Sequence, residues 1–285
     1  MTLDATEQDP PKVSVIMGAY NCSAYVHEAV MSIVNQTYAN WELIICDDAS
    51  TDGTYEILQR LAASYRDQIV LLRNDSNAQL AFTLNRCLVH CKGDFIARMD
   101  GDDIALPARI ARQVDYLRQN QKVDVVGTSM QRFDERGLSS IVSAPAYPDR
   151  ICLKRSVPFN HATILARRHV FEVLHYTVAP RTVRCEDKDL WFKFFEAGLT
   201  GHNMQDPLYL VREDINAIRR RTTRARLSLF RTTMRGYAAL GFPLHWYATP
   251  ILELLKILIP TRLFMWYRDW QKRQIFDSSP SDSNV

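Results

Sequence analysis

Glycine is scarce in this chain, 10 residues in 285, and the 12 prolines are scattered. That excludes collagen-like and low-complexity architectures. Cys22, Cys46, Cys87, Cys91, Cys152 and Cys185 include no CxxC pair, which excludes a disulfide scaffold and suits reduced thiols of an intracellular protein. No run of 18 or more uninterrupted apolar residues occurs, so a simple membrane span is not expected. The phosphate signatures GxGxxG and GxxxxGK(S/T) are absent, as is the HxxxH spacing of a zinc site. Residues 1–12 are polar and acidic, lack the apolar core of a signal peptide, and read as a flexible leader ending in Pro10-Pro11.

What is present is ordinary globular chemistry: 47% apolar and 24% charged residues, enough to bury a full core without staples. The net charge of +3 is unevenly placed. Residues 1–211 carry 22 basic and 26 acidic side chains, whereas 212–285 carry 13 basic and 6 acidic ones. A basic end on an acidic body points that end toward something anionic.

Short apolar runs at 13–17, 42–46, 69–72, 94–98 and 123–127 read as buried strands. Helical patterns lie between them. The first shows Val26, Ala29, Val30 and Ile33 on one face, with Ser23 as its expected cap. Further helices are expected at 78–91, from Pro107 to about 120, at 167–174 and at 187–197. Residues 130–165 read as strands and loops. This rhythm predicts a Rossmann-like, mostly parallel sheet with helices on both faces, plus a C-terminal helical extension.

Two acidic clusters follow strands, where ligands bind in open α/β sheets. Asp100-Gly101-Asp102-Asp103 crowds three carboxylates that repel unless a cation offsets them; oxygen-only ligands suit Mg²⁺ or Mn²⁺. A solvated turn is the plain alternative. In Asp47-Asp48-Ala49-Ser50-Thr51-Asp52-Gly53, helix capping accounts for Ser50 and Asp52 but not for Asp47 and Asp48, which can accept from a base or a ribose. Glu186-Asp187-Lys188-Asp189 opens a helix, either as charges favoured by the macrodipole or as a general base. His161 reads as structural or as a pocket wall, with a catalytic role as the lesser alternative.

SVIMGAYN (14–21), NQTYANWELIICDDASTDGT (35–54), GDFIARMDGDDIALPARIARQ (93–113), FNHATIL (159–165) and CEDKDLWFKF (185–194) together resemble an inverting family 2 glycosyltransferase of the GT-A fold. The likeness is to the bacterial branch that builds exopolysaccharide, capsule or lipopolysaccharide, and it covers about residues 12–211. It implies a domain over 13–211, with 13–129 as the nucleotide-sugar half and 130–211 as the acceptor half, followed by a basic and apolar extension at 212–285. Ala19 and Tyr20 would border the nucleoside, and Asp48 would bond the base. Asp100 and Asp102 match the DxD pair, one toward ribose and one toward the metal, with Asp103 supporting. Asp187, beside Glu186, matches the catalytic base. Trp191 and His161 are placed at the acceptor pocket, although Trp191 also reads as helix core. The chain departs from the family pattern at Gly18, where proline is frequent. It also departs after Asn77, where the usual glycine is missing, at Leu84-Asn85, and in lacking QxxRW. These departures bear on nucleotide preference and processivity.

The implied reaction moves a sugar from a nucleotide diphosphate sugar to a hydroxyl of a glycan or lipid-linked acceptor, with Mn²⁺ or Mg²⁺. The expected place is the cytoplasmic face of a cell membrane, held peripherally, with no nucleic-acid partner. A sugar-phosphate nucleotidyltransferase would favour a Gly-rich, Lys/Arg-bearing first loop, which Gly18-Ala19-Tyr20-Asn21 is not. A non-catalytic binding protein of the same fold would have no need of Asp100, Asp102 and Asp187. In the extension, eight Arg lie between 212 and 235. An apolar stretch follows at 246–260, then Trp266, Tyr267 and Trp270 among basic residues. That pattern fits either a helix packed on the domain or a segment at a lipid surface.

Overall fold

Strand β1 (Val13–Ala19) is paired on both edges and covered on both faces. Val13, Val15 and Met17 enter one apolar core and Ile16 the other, following the two-residue period of a strand. β2 (Trp41–Asp47) and β4 (Phe95–Asp100) flank β1 in parallel, and β3 (Ile69–Arg73) runs parallel to β2. Their near-continuous apolar runs are those of strands buried from both sides. A computed structural model of the chain describes residues 9–154, 156–213 and 222–255.

Helices α1 (Val26–Val34), α2 (Thr54–Ser64) and α4 (Arg109–Gln119) cover one face. α3 (Gln79–Val89) and α6 (Glu186–Glu196) cover the other. α1 buries Val26, Ala29, Val30 and Ile33, the face its spacing predicts. Ser23 does not cap it. The Ser23 N–H is drawn to Asp52 Oδ2 at 3.0 Å, and the helix starts three residues later. Asp52 also receives the Thr54 N–H at 3.0 Å, so one carboxylate ties the start of α2 to the loop before α1.

The second half of the sheet is mixed. β8 (Leu165–Arg167) enters antiparallel between β4 and β6 (Val125–Asp134), while β9 (Gly201–Arg212) runs parallel to β6. β7 (Gly137–Val142) forms a hairpin on β6, and the short β5 (Ile104–Ala105) closes the order β3-β2-β1-β4-β8-β6-β9-β5. α5 (Arg168–Val173) follows β8; α7 (Thr223–Ala239) packs on α6, and α8 (Ala248–Leu255) on α7. From β1 the chain steps outward to β2 and β3 on one side and to β4 on the other. A crevice therefore opens at the carboxyl ends of β1 and β4.

All six cysteines are free thiols, four of them buried. Among the described residues no helix is long and apolar enough to cross a membrane. Residues 1–8 and 256–285, including Trp266, Tyr267 and Trp270, and three of the eight arginines between 212 and 235 (Arg219, Arg220 and Arg221) lie outside the described residues, with the expectations placed on them.

Candidate active site

Parallel register brings three strand ends level. Gly18 of β1 lies opposite Asp100 of β4, and Ala19 opposite Asp47 of β2. A Cβ at Gly18 would meet the tip of Leu80 (Cδ1) at 2.9 Å and Thr83 Cγ2 at 3.3 Å, so α3 packs closely on this strand end. Just beyond the strands, Asp48 is buried and heavily engaged. Its Oδ1 accepts from Asn74 Nδ2 at 2.6 Å and from the Ala78 N–H at 2.7 Å, and its Oδ2 from the Gln79 N–H at 3.0 Å. Asp48 thus anchors the loop before α3. Asp47 Oδ2 accepts from the Ser50 N–H at 3.1 Å and faces Arg73 at 3.3 Å.

The acidic turn after β4 divides into three environments. Asp100 is gripped by both Nη atoms of Arg98, whose side chain is only 4% exposed. Asp103 turns inward, accepting from the Tyr209 hydroxyl at 2.9 Å and from the Arg212 N–H at 2.9 Å. Burial first, then the charges of Asp100 and Asp102, push the Asp103 carboxyl up to about 8. Asp102 stays half-buried at the turn, its carbonyl bonded by Arg212 Nε at 3.0 Å. Among the described residues no three His, Cys, Asp or Glu side chains gather as a cage for a cation. A hard divalent cation that shares its shell with substrate phosphates needs only one or two carboxylates. Asp102 with Asp100 meets that requirement, and the excess negative charge felt by Asp103 is what such a cation would offset.

At the start of α6, burial raises both the Glu186 and the Asp187 carboxyl above their ordinary values. Asp187 Oδ1 accepts the Lys188 N–H at 2.7 Å. The Arg98 cation pulls both carboxyls back toward ionisation, and the Asp100 charge opposes it at Glu186. Arg98 therefore lies electrically between the acidic turn and the α6 carboxylates, and sequence reasoning passed over it. The signal was available: a run read as a buried strand, 94–98, ends in an arginine, which needs a partner if buried.

A cavity of about 450 Å³ opens beside these groups. Tyr20, Asp48 and Gln79 line it on the strand side, and Arg184, Glu186 and Arg224 on the helical side. Of the nominated residues, Ala19, Tyr20, Asp48 and Glu186 line this cavity; Asp100, Asp102, Asp103, Asp187, Trp191 and His161 do not. Trp191 is 1% exposed and packs on Phe159, Phe194 and His161. His161 Nε2 is 2.7 Å from the Tyr176 hydroxyl, and burial plus the Arg98 cation keep its ring well below the usual histidine pKa. Non-glycine residues with left-handed backbone cluster around this end of the sheet: Asn21, Ala49, Gln79 and Arg184. Strain of this kind collects where function constrains the chain.

A family model described as Glycosyl transferase family 2 matches residues 14–175. A protein of Bacillus subtilis (strain 168) that bears the name of a glycosyltransferase, EpsE, is 48% identical over 213 residues, 74% of this chain and 77% of its own. The Escherichia coli O-antigen biosynthesis glycosyltransferase WbnJ is 33% identical over 186 residues, 64% of this chain and 70% of its own. The crystal structure of S. aureus TarS 1–349 in complex with UDP-GlcNAc superposes with a TM-score of 0.65 at 17% identity, covering 87% of this chain and 71% of that one. The shared architecture is the GT-A fold.

Proposed function

The chain belongs to glycosyl transferase family 2, and from that premise we propose that it transfers a sugar from a nucleoside diphosphate sugar to a hydroxyl of a glycan or lipid-linked saccharide, with inversion. The observation that carries this reading is the cavity itself. It joins the ends of β1 and β2, through Tyr20 and Asp48, to the start of α6, through Glu186. The similarity to TarS, which was crystallised with UDP-GlcNAc, supports such a donor, and the similarity to an O-antigen enzyme supports a role in cell-surface polysaccharide synthesis.

In this reading Ala19 and Tyr20 border the nucleoside, Asp48 meets the base, and Asp100 faces the ribose. Mn²⁺ or Mg²⁺ held by Asp102 and Asp100 would supply the charge that makes a diphosphate a competent leaving group. Asp103 supports the turn from beneath through Tyr209 and Arg212. Asp187 takes the proton of the acceptor hydroxyl as that oxygen attacks the anomeric carbon. A single displacement inverts the centre, and one catalytic carboxylate suffices. Glu186 is the second reading for the base, favoured because it lines the cavity whereas Asp187 does not.

The proposed division is 13–129 for the donor, 130–211 for the acceptor, and 212–285 as an extension that meets the inner surface of a cell membrane. Leu244, Ile251, Leu252 and Leu255 of that extension are exposed. A turnover panel of sugar nucleotides with lipid-linked acceptors tests the activity. Turnover should require Mn²⁺ or Mg²⁺, and Asp102→Ala should abolish it while the variant still melts cooperatively. Full turnover in excess chelator would overturn the metal role.

A further inference from the structure

Gln79 holds a left-handed backbone, φ 72°, at the first residue of α3. A side chain there is disfavoured, and glycine, asparagine or aspartate is the usual occupant. Packing does not explain the glutamine, because its side chain is exposed. Its own N–H is fixed by Asp48 Oδ2 at 3.0 Å, and its Nε2 donates to Asn77 Oδ1 at 2.7 Å, so the two amides form a pair on the cavity wall. Such a pair keeps one carbonyl and one NH2 group available to a ligand.

Asp48 beside it has little capacity left. Its Oδ1 already accepts two donors and its Oδ2 one. A carboxylate offers about four acceptor positions, so one remains, on Oδ2. A guanine edge presents two adjacent N–H donors, which suit both oxygens of a carboxylate. A uracil or thymine edge presents a single imide N–H flanked by carbonyls, and so calls for one acceptor next to an NH2 donor. The Asp48, Asn77 and Gln79 group offers that combination.

We infer that Gln79 is a specificity-determining residue. Its amide, paired with Asn77 and held by the Asp48-anchored backbone, selects a pyrimidine-dione base in the donor. The inference rests on the donor-site reading of the same cavity. The strained backbone is the cost of presenting an amide, rather than a hydrogen atom, at this point of the wall.

The test measures the affinity of the full-length protein for UDP, TDP and GDP by calorimetry in the presence of Mn²⁺, with thermal melting alongside. Wild type should bind UDP or TDP at least tenfold more tightly than GDP. Gln79→Gly fits φ 72° and should melt no lower than wild type. It should nevertheless lose about three- to tenfold in UDP affinity, the value of one hydrogen bond, and narrow the UDP-to-GDP ratio. Gln79→Asn, which keeps an amide and tolerates the backbone, should retain the preference. Equal UDP affinity and an unchanged ratio in Gln79→Gly, or a wild type that prefers GDP, would overturn the assignment while leaving the donor site intact. Failure of wild type to bind any nucleoside diphosphate would overturn both.

Discussion

Arg98 is a cation almost shut off from water, and its surroundings dictate what it can do. Its two Nη atoms grip Asp100, while its charge acts on Glu186, Asp187 and His161. Arg98→Met should cost close to 3 kcal/mol of stability in chemical denaturation, the lower end for a broken buried pair, because Asp100 is 33% exposed. It should also move the acidic limb of the kcat–pH profile upward, since one of the pulls toward ionised Asp187, beside that of the Lys188 N–H, is lost. Arg98→Lys keeps the charge but not the fork, so the limb should stay in place while donor binding weakens. For the proposed base, Asp187, the sign follows from burial. A carboxyl raised above its ordinary value of about 4 must lose its proton to act, so turnover falls as pH drops through the raised value. Asp187→Asn should lower kcat by about 10²–10⁴-fold with nucleotide affinity nearly unchanged. Near-normal turnover in Asp187→Asn together with a collapse in Glu186→Gln would move the role to Glu186.

The α6–α7 packing positions these carboxylates as an element. Gly236 of α7 lies against the ring of Phe192 in α6, where a Cβ would come within 2.2 Å of the ring Cγ. The ring root cannot swing aside as a chain end could. Gly236→Ala should therefore push the helices apart and cost about 1–3 kcal/mol, seen as a lower denaturant midpoint. Because α6 begins with Glu186, kcat should fall with it; an unshifted midpoint would show that the pair is loose. Most elements were legible from local pattern: the strand runs of β1 to β4 and the apolar face of α1 required only two- and 3.6-residue periods. Ser23 is not the cap because the helix starts only at Val26, with Tyr25 in the cap position, and the Ser23 N–H is held by Asp52, 29 residues away and out of sight of the local pattern. The engagement of Asp48 with the 74–79 loop was equally hidden, since its three donors lie 26 to 31 residues away along the chain.

Across the whole molecule, the extension after β9 is packed in one part and exposed in another. Phe242 is buried against Tyr237 and Trp246, and these in turn meet Phe192 and Lys154, so the start of the apolar stretch packs on the domain. α8 then presents Ile251, Leu252 and Leu255 to solvent. Full-length protein should co-sediment with vesicles of anionic lipid and be released by salt, and Leu252→Glu with Leu255→Glu should weaken this without lowering the melting temperature. Protein that ignores such vesicles at low ionic strength would assign α8 to packing alone. The order of runs and the acidic residues placed after them were enough to indicate an α/β sheet, its site-bearing end and the family resemblance, because strand period and ligand chemistry are local properties of the chain. The antiparallel entry of β8 between β4 and β6, the grip of Arg98 on Asp100 and the inward turn of Asp103 were not readable there. Each depends on which distant segments become neighbours. A carboxylate's pKa and its remaining acceptor positions are set by those neighbours and not by the residues beside it in sequence.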